Sequence, residues 1–112
     1  MNEGRTVFAQ LMGELPQYEF DKCVRRYRGD HRVRSLPSYE QFLVMGFAQL
    51  TYRESLRDIE TCLRALGPKL YHSGIGQPTA RSTLADANEK RDWRIFSDFA
   101  HVLIEQASLL YA

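Results

Sequence analysis

The sequence predicts an all-α domain of five to six helices. Apolar residues recur at three- and four-residue steps in each periodic segment, and no long segment alternates strictly between apolar and polar residues. Residues that favour helix starts precede several of these segments, and Gly or Pro follows them. With 112 residues, of which 44% are hydrophobic and 26% charged, the chain has the size and composition of one soluble globular domain, residues 1–112.

Two short helices are predicted near the N-terminus. Thr6 can cap the first, which extends to about Leu15, because Pro16 prevents further growth. The second covers Tyr18 to Tyr27. Its apolar residues recur at helical spacing and predict a buried side: Phe20, Cys23, Val24 and Tyr27.

The third predicted helix starts at Ser38 and is apolar on one broad face. Ser38 and Gln41 have the spacing of a capping box, in which each side chain bonds a backbone N–H of the first turn. The broad face comprises Tyr39, Phe42, Leu43, Gly46, Phe47 and Leu50, with Val44 and Met45 extending it. A helix this apolar is predicted to be the central core helix, with Phe47 buried.

A pair of helices resembling a helix-turn-helix follows. Ser55 caps the first, which ends at Leu66 because Gly67 and Pro68 come next. Its predicted buried stripe is Leu56, Ile59, Leu63 and Leu66. A long connection, residues 69–80, leads to the second helix at about 82–90. This arrangement of supporting helix, connection and presented helix is one that soluble domains use to offer a helix to a DNA groove.

A long C-terminal helix is predicted from about Asp92 to Tyr111. An apolar stripe runs along it at alternating three- and four-residue steps: Trp93, Phe96, Ala100, Leu103, Ala107 and Leu110. Phe99, Ile104 and Tyr111 widen this stripe. The simplest interpretation is that the stripe packs into the core. The alternative is the seam of a coiled-coil homodimer, although fewer than three full heptads are present.

The most basic stretch is residues 22–34, which has a net charge of +5 although the whole chain has only +1. Its candidate DNA-contacting residues are Arg25, Arg26, Arg28, Arg32 and Arg34. Arginines supply the sequence-independent part of DNA affinity by contacting phosphates. The alternative is a solvated loop whose arginines pair with acidic residues such as Glu14, Glu19 or Asp21.

Several segments together resemble the N-terminal domain of bacterial insertion-sequence transposases. They are residues 6–11, 50–60, Leu70-Tyr71-His72, Gly74-Ile75, the run from Arg81 to Arg91, and Asp92-Trp93-Arg94. In that family the domain precedes a larger catalytic domain with a ribonuclease-H-like fold, which uses three carboxylates and divalent metal. The resemblance therefore implies an accessory domain that binds the double-stranded DNA of transposon ends, in the bacterial cytoplasm and associated with the nucleoid.

The presented helix supplies the second set of candidate DNA contacts. They are Arg81, Ser82, Thr83, Asn88, Lys90 and Arg91. Arg81 and Asn88 are seven residues apart and share a helix face, so they are the candidates for base edges. Thr83 and Arg91 lie off that face and are expected to meet phosphates. The alternative for Asn88 is a structural role at the helix end.

The sequence gives little support for catalysis or for the binding of a metal or cofactor. The three histidines are scattered without metal-ligand spacing, and neither a phosphate-binding glycine loop nor a nucleophile elbow is present. We therefore expect no catalytic residue, metal, cofactor or small-molecule ligand, and no membrane association. The second function class is a protein-interaction module that dimerises, or docks a catalytic domain, through the last helix.

Overall fold

The computed structural model describes residues 7–33, 35–51, 53–70, 75 and 79–111. Within these ranges the chain forms six helices and no β-strand, so the predicted all-α class is confirmed. The helices are α1 (Val7–Gly13), α2 (Gln17–Arg26), α3 (Ser38–Leu50), α4 (Leu56–Leu70), α5 (Arg81–Lys90) and α6 (Arg94–Tyr111). The predicted cap at Thr6 lies outside the described residues.

Helix α3 occupies the centre of the fold because it contacts two groups of buried side chains. The first group joins α3 to α4 and α5, and consists of Leu36, Leu43, Val44, Phe47, Ala48, Ile59, Leu63, Ile75 and Leu84. The second joins α2 to α6, and consists of Phe20, Cys23, Val24, Ile95 and Phe99. Tyr39 and Phe42 pack against both groups. The predicted central role of α3 is confirmed, and so is the burial of Phe47, which is 4% exposed.

Helices α4 and α5 are joined by a polar contact as well as by the core. Ser55 Oγ accepts a hydrogen bond of 3.0 Å from the backbone N–H of Asp58, which confirms the predicted cap of α4. One turn further along α4, Glu60 Oε2 accepts a hydrogen bond of 2.8 Å from the backbone N–H of Arg81. The first turn of α5 thus receives a carboxylate from α4, which satisfies one of its unpaired N–H groups and suits the helix dipole.

The predicted end of α4 at Leu66 is wrong, because the helix continues through Gly67 and Pro68 to Leu70. Proline has a φ compatible with a helix, but beyond the first turn it removes a hydrogen bond and crowds the carbonyl four residues earlier, and α4 ends two residues after Pro68. Residues before proline normally avoid the helical conformation because their Cβ crowds the ring, and Gly67 has no Cβ. Within the connection that follows, Ile75 is buried in the first core group.

The predicted core stripe of α6 is wrong along much of its length. The residues that enter the core are Ile95 and Phe99, with Phe96 and Leu103 packed beside them. Four stripe residues are exposed instead: Trp93, Ala100, Ala107 and Leu110. The apolar surface of α6 is broad, so its periodicity did not identify which side meets α2. The helix also extends beyond the core, since every residue from 104 to 110 is exposed.

A polar cluster fastens α2 to α6. Asp98 Oδ2 accepts hydrogen bonds of 2.6 Å from both the Tyr27 hydroxyl and Arg26 Nη1. The Arg94 guanidinium lies over the Tyr27 ring, 4.5 Å from its centroid. The bonds from Tyr27 and Arg26 lower the pKa of the Asp98 carboxyl below its usual value. This cluster fixes the start of the loop that follows α2.

Candidate nucleic-acid interface

The loop between α2 and α3 begins with an arginine in a conformation that favours glycine. Helix α2 ends in a Schellman motif, in which the N–H of Gly29 bonds the Val24 carbonyl at 2.9 Å and the N–H of Arg28 bonds the Arg25 carbonyl at 3.3 Å. The motif places Arg28 at a φ of 55°. A left-handed residue with a Cβ costs roughly 1–2 kcal/mol relative to a right-handed one. Arg32, in the same loop, has a φ of 59°.

Gly29 is required because the loop lies directly against two helices. A Cβ at this position would be 2.5 Å from Ile95 Cδ1 on α6 and 2.8 Å from Ser38 Oγ on α3. Those distances are below any normal van der Waals contact, so a larger side chain would push the loop outward. The close approach holds the arginines on either side of Gly29 in a defined position.

Asp30 fastens the same loop to the start of α3. Its Oδ1 accepts hydrogen bonds of 2.7 Å from both the backbone N–H and the hydroxyl of Ser38. The predicted capping box of Ser38 and Gln41 is therefore wrong: Ser38 is the first helical residue, and the carboxylate that caps α3 comes from eight residues upstream. Gln41 is directed instead towards α5.

The arginine loop (Tyr27–Val33) and α5 form the two walls of one cleft of about 500 Å³. The cleft is lined by Tyr27, Arg28, Gly29, His31, Arg32, Val33, Ser35, Thr83, Asp86, Ala87, Lys90, Arg91 and Asp92. The two stretches that were predicted separately as DNA contacts thus meet: Arg28 and Arg32 come from the loop, whereas Thr83, Lys90 and Arg91 come from α5 and its C-terminus.

The two carboxylates of this arginine cleft are already paired with cations. Asp86 Oδ1 lies 2.9 Å from Lys90 Nζ, and this contact raises the pKa of Lys90. Asp92 Oδ2 lies 2.8 Å from Arg94 Nη2, and the bonds from Arg94 lower the pKa of Asp92. Both negative charges are therefore largely compensated within the protein.

The three arginines of the cleft form no such ion pair with the described residues, although the charge of Asp30, in the arginine loop, acts favourably on Arg91 over a longer distance. Among the residues that the structure describes, no carboxylate lies within 4.0 Å of the guanidinium of Arg28, Arg32 or Arg91. Arg28 Nη2 lies 3.2 Å from His31 Nε2, and Arg28 and Arg32 are both exposed. The residues that line the cleft therefore have a net positive charge.

Arg91 is held firmly although it has no carboxylate partner among the described residues. Its Nη1 donates hydrogen bonds of 2.8 Å to the Leu36 carbonyl and to Gln41 Oε1. Partial burial lowers the pKa of the Arg91 guanidinium from its usual value. A guanidinium has five N–H donors, so several remain for a ligand in the cleft. The bond from Gln41 Nε2 to Asn88 Oδ1, 2.7 Å long, extends the same network along α5.

The remaining predicted contacts lie elsewhere. Arg25 is exposed on α2, and Arg26 is paired with Asp98. Arg81 and Ser82 are exposed in the first turn of α5. Asn88 does not line the cleft but an adjacent groove, beside Gln41 and Met45. Arg34 lies outside the described residues.

Two residues of the site were not predicted from the sequence. Gln41 is 3% exposed and joins Asn88 to Arg91, and Asp92 pairs with Arg94 at the edge of the cleft. A signal for Gln41 was available, because it is a polar residue in a helix that is otherwise strongly apolar on that side. Asp92 was predicted only as the start of α6, where its Oδ1 accepts a 3.0 Å bond from the Arg94 N–H.

The described part of the chain offers neither a metal site nor a membrane span. No group of three or more His, Cys, Asp or Glu side chains there could hold a metal ion. None of the described helices combines the length and the apolar character needed to cross a membrane. Cys23 and Cys62 are both free thiols.

Comparison with known families places the chain in one of them. Residues 3–76 match a family described as a domain of unknown function, DUF4372. Since the match covers more than half of the chain, the protein belongs to this family. The matched region contains the arginine loop, whereas α5 and α6 follow it in the chain. No curated protein and no solved structure matches the chain.

Proposed function

We propose that this domain binds double-stranded DNA by placing the phosphate backbone in the arginine cleft. The observation that carries the proposal is the charge pattern of the cleft. Arg28, Arg32 and Arg91 lack carboxylate partners among the described residues, whereas Asp86 and Asp92 are both ion-paired. Unpaired guanidinium groups that line one concave surface are suited to phosphate oxygens, which they can bind with two parallel hydrogen bonds.

The position of Arg91 favours a defined backbone contact over a diffuse attraction. Its guanidinium is half-buried and held by Leu36 and Gln41, so binding a phosphate costs little further side-chain entropy. An ionic contact in a partly buried site is screened less by salt than one on the open surface. Arg28 and Arg32 are exposed, and they supply the longer-range attraction that brings DNA to the cleft.

Helix α5 acts in this proposal as a wall of the binding site. Its exposed surface includes Glu89, whose negative charge opposes deep insertion of α5 into a major groove. Asn88, a candidate for contact with base edges, is bonded to Gln41 and does not line the cleft. We therefore infer that affinity comes mainly from phosphates, with Thr83 and Lys90 as further contacts on the α5 wall.

The resemblance to the N-terminal domains of insertion-sequence transposases suggests the biological setting. We propose that the bound DNA is a transposon end, and that this domain has an accessory role without catalysis of its own. In such an arrangement the domain would hold the DNA while a separate catalytic domain performs strand transfer. A phosphate-binding cleft suits this role, because positioning contacts fix the register of a protein on a duplex.

The test compares two double variants that each remove two positive charges. R28Q/R32Q changes the cleft, and glutamine keeps the Cβ of both residues at their left-handed φ values. R57Q/R64Q changes two exposed arginines of α4 that do not line the cleft. Binding of a labelled mixed-sequence duplex is measured for each over a range of salt concentrations.

We expect R28Q/R32Q to weaken binding to all duplex sequences. It should also reduce the slope of log affinity against log salt by roughly 0.9 for each phosphate that the variant no longer neutralises. R57Q/R64Q should change both quantities much less. Equal effects of the two variants would show that the attraction comes from net charge alone, and the assignment of the cleft would be wrong.

A second function is favoured by the exposed end of α6. Ile104, Leu109 and Leu110 are 62%, 77% and 81% exposed, and they lie beyond the core that α6 contacts through Ile95 and Phe99. We propose, as the alternative, that this end binds a second copy of the chain or another domain. Sedimentation of the free protein and of L110E tests it: a dimer that the glutamate dissociates would support the alternative, whereas a wild-type monomer would exclude self-association.

A further inference from the structure

An apolar groove lies beside the arginine cleft, on the other side of the connection between α5 and α6. It has a volume of about 360 Å³ and is lined by Gln41, Phe42, Met45, Gly46, Asn88, Arg91, Trp93 and Phe96. Trp93 is 71% exposed, although it is a large aromatic residue and the only tryptophan of the chain. Trp93 belongs to neither of the two core groups and does not line the cleft, so neither feature explains why a tryptophan lies here.

The connection between the helices separates the two cavities. Arg91 lines both of them, Asp92 lines the cleft, and Trp93 lines the groove. A nucleic-acid strand whose phosphates contact Arg91 would therefore lie next to the groove, because Arg91 lines both cavities. The groove therefore differs from an isolated apolar patch. Because it shares Arg91 with the cleft, a DNA strand bound in the cleft is the ligand that would lie next to it.

The lining of the groove has the features of a nucleobase site. Trp93, Phe96 and Phe42 supply aromatic surfaces, and stacking on such surfaces is available to every base. The Asn88 amide adds a polar group: its Oδ1 accepts from Gln41, and its Nδ2 lies 3.6 Å from the Met45 sulfur. An amide nitrogen carries two hydrogens, so one N–H remains for an acceptor on a base edge.

We propose that the groove binds one unpaired nucleobase of a DNA strand whose phosphates lie in the arginine cleft. This inference rests on the proposed DNA-binding function and adds a preference for distorted or unpaired DNA. The volume suits a single heterocyclic base better than a helix of a partner protein. An unpaired base carries no cost of unpairing, so such a site selects bulged duplexes over fully paired ones.

The single tryptophan permits a direct test by fluorescence. The probes are a duplex with one bulged thymine and the same duplex fully paired, each labelled so that its affinity can be measured separately. We expect the bulged duplex to bind more tightly and to quench Trp93. W93A should lose about 5- to 100-fold in affinity for the bulged duplex and little for the paired one. W93F keeps an aromatic ring and should retain most of the preference.

The possible outcomes separate this inference from the function on which it rests. Equal binding of both duplexes, with unchanged Trp93 fluorescence and no effect of W93A, would overturn the base site and leave the phosphate cleft in place. Absence of binding to either duplex would overturn both proposals. A Trp93 signal that changes with protein concentration in the absence of DNA would show that a second copy occupies the groove, and would also overturn the base site.

Discussion

At the scale of single residues, the arginine loop combines a conformational cost with a candidate function. Arg28 occupies the position of a Schellman motif where glycine is most common, and Gly29 follows one residue later. Backbone strain of this kind is found most often at functional sites, where the side chain is needed despite the cost. Arg28 lines the cleft, so a need for its guanidinium there would explain why arginine replaces glycine at this position.

The first prediction separates the stability of this position from its binding role. Arg28→Gly should raise the free energy of unfolding by roughly 0.5–1 kcal/mol, because glycine adopts a φ of 55° without a Cβ clash. It should also weaken duplex binding. Denaturant unfolding and DNA titration measure the two effects. Arg28→Ala is the control: it removes the guanidinium but keeps the Cβ, so binding should fall without the gain in stability.

The second prediction concerns Asn88. Removing its side chain leaves Gln41 Nε2 without an acceptor, and Gln41 is buried, so Asn88→Ala should cost about 1–2 kcal/mol of stability. Chemical denaturation measures this directly. The loss of stability follows from the bond to Gln41 alone. Base readout by Asn88, as predicted from the sequence, would in addition change the preference of the variant between duplex sequences.

At the scale of helices, the contact between α2 and α6 depends on one carboxylate. Asp98 accepts hydrogen bonds from Tyr27 and Arg26, and no other polar contact among the described residues joins these two helices as closely. The two helices also share Phe20, Ile95 and Phe99 in the second core group. The polar cluster lies at the C-terminal end of α2, so it also fixes the direction in which the arginine loop leaves the helix.

The third prediction is a pH dependence of this contact. The hydrogen bonds lower the pKa of Asp98 in the folded protein, whereas the unfolded chain has the ordinary value of about 3.9. The stabilisation is therefore complete above the unfolded pKa and is lost as the pH falls through the folded pKa. Asp98→Asn should lower Tm at pH 7, and the difference from wild type should shrink as the pH falls below about 4. A constant difference down to the lowest pH would mean that the charge of Asp98 contributes nothing.

At the scale of the whole molecule, α3 joins the two groups of core residues. Tyr39 and Phe42 contact both groups, and the Phe20 ring lies 5.4 Å from the Tyr39 ring and 5.3 Å from the Phe42 ring between centroids. Shared aromatic packing of this kind couples the halves, so they should unfold together. The arginine cleft depends on this coupling, because its loop wall belongs to one half and its α5 wall to the other.

The fourth prediction tests that coupling. Phe47→Ala should cost roughly 3–5 kcal/mol, since Phe47 is buried in the first core group. If the two halves are coupled, helical circular dichroism and Trp93 fluorescence should report the same unfolding midpoint in the variant. Separate midpoints would show that α2 and α6 remain folded after the first group has unfolded. A cost within experimental error would contradict the assigned role of α3.

The sequence by itself determined the all-α class, the approximate position of each helix and the buried faces of α2 and α4. These properties follow from local spacing, because side chains three and four residues apart share a face wherever a helix forms. On α3 the sequence identified Leu43, Val44 and Phe47, but Leu50, which was predicted on the same face, is 53% exposed. The presence of two basic stretches was also apparent from the sequence. The ends of the helices were predicted less accurately than their positions. Helix α4, for example, continues through Gly67 and Pro68, where the sequence predicted its end.

Only the tertiary structure decided that the two basic stretches form one cleft, and which of their arginines line it. Arg26 and Arg28 are two residues apart, yet one is paired with Asp98 and the other lines the cleft. The partner of Arg91 is Gln41, fifty residues away in the chain. Such pairings depend on the directions in which helices cross, and local periodicity contains no information about a side chain's distant partner. For the same reason, the broad apolar surface of α6 did not reveal which side would meet α2.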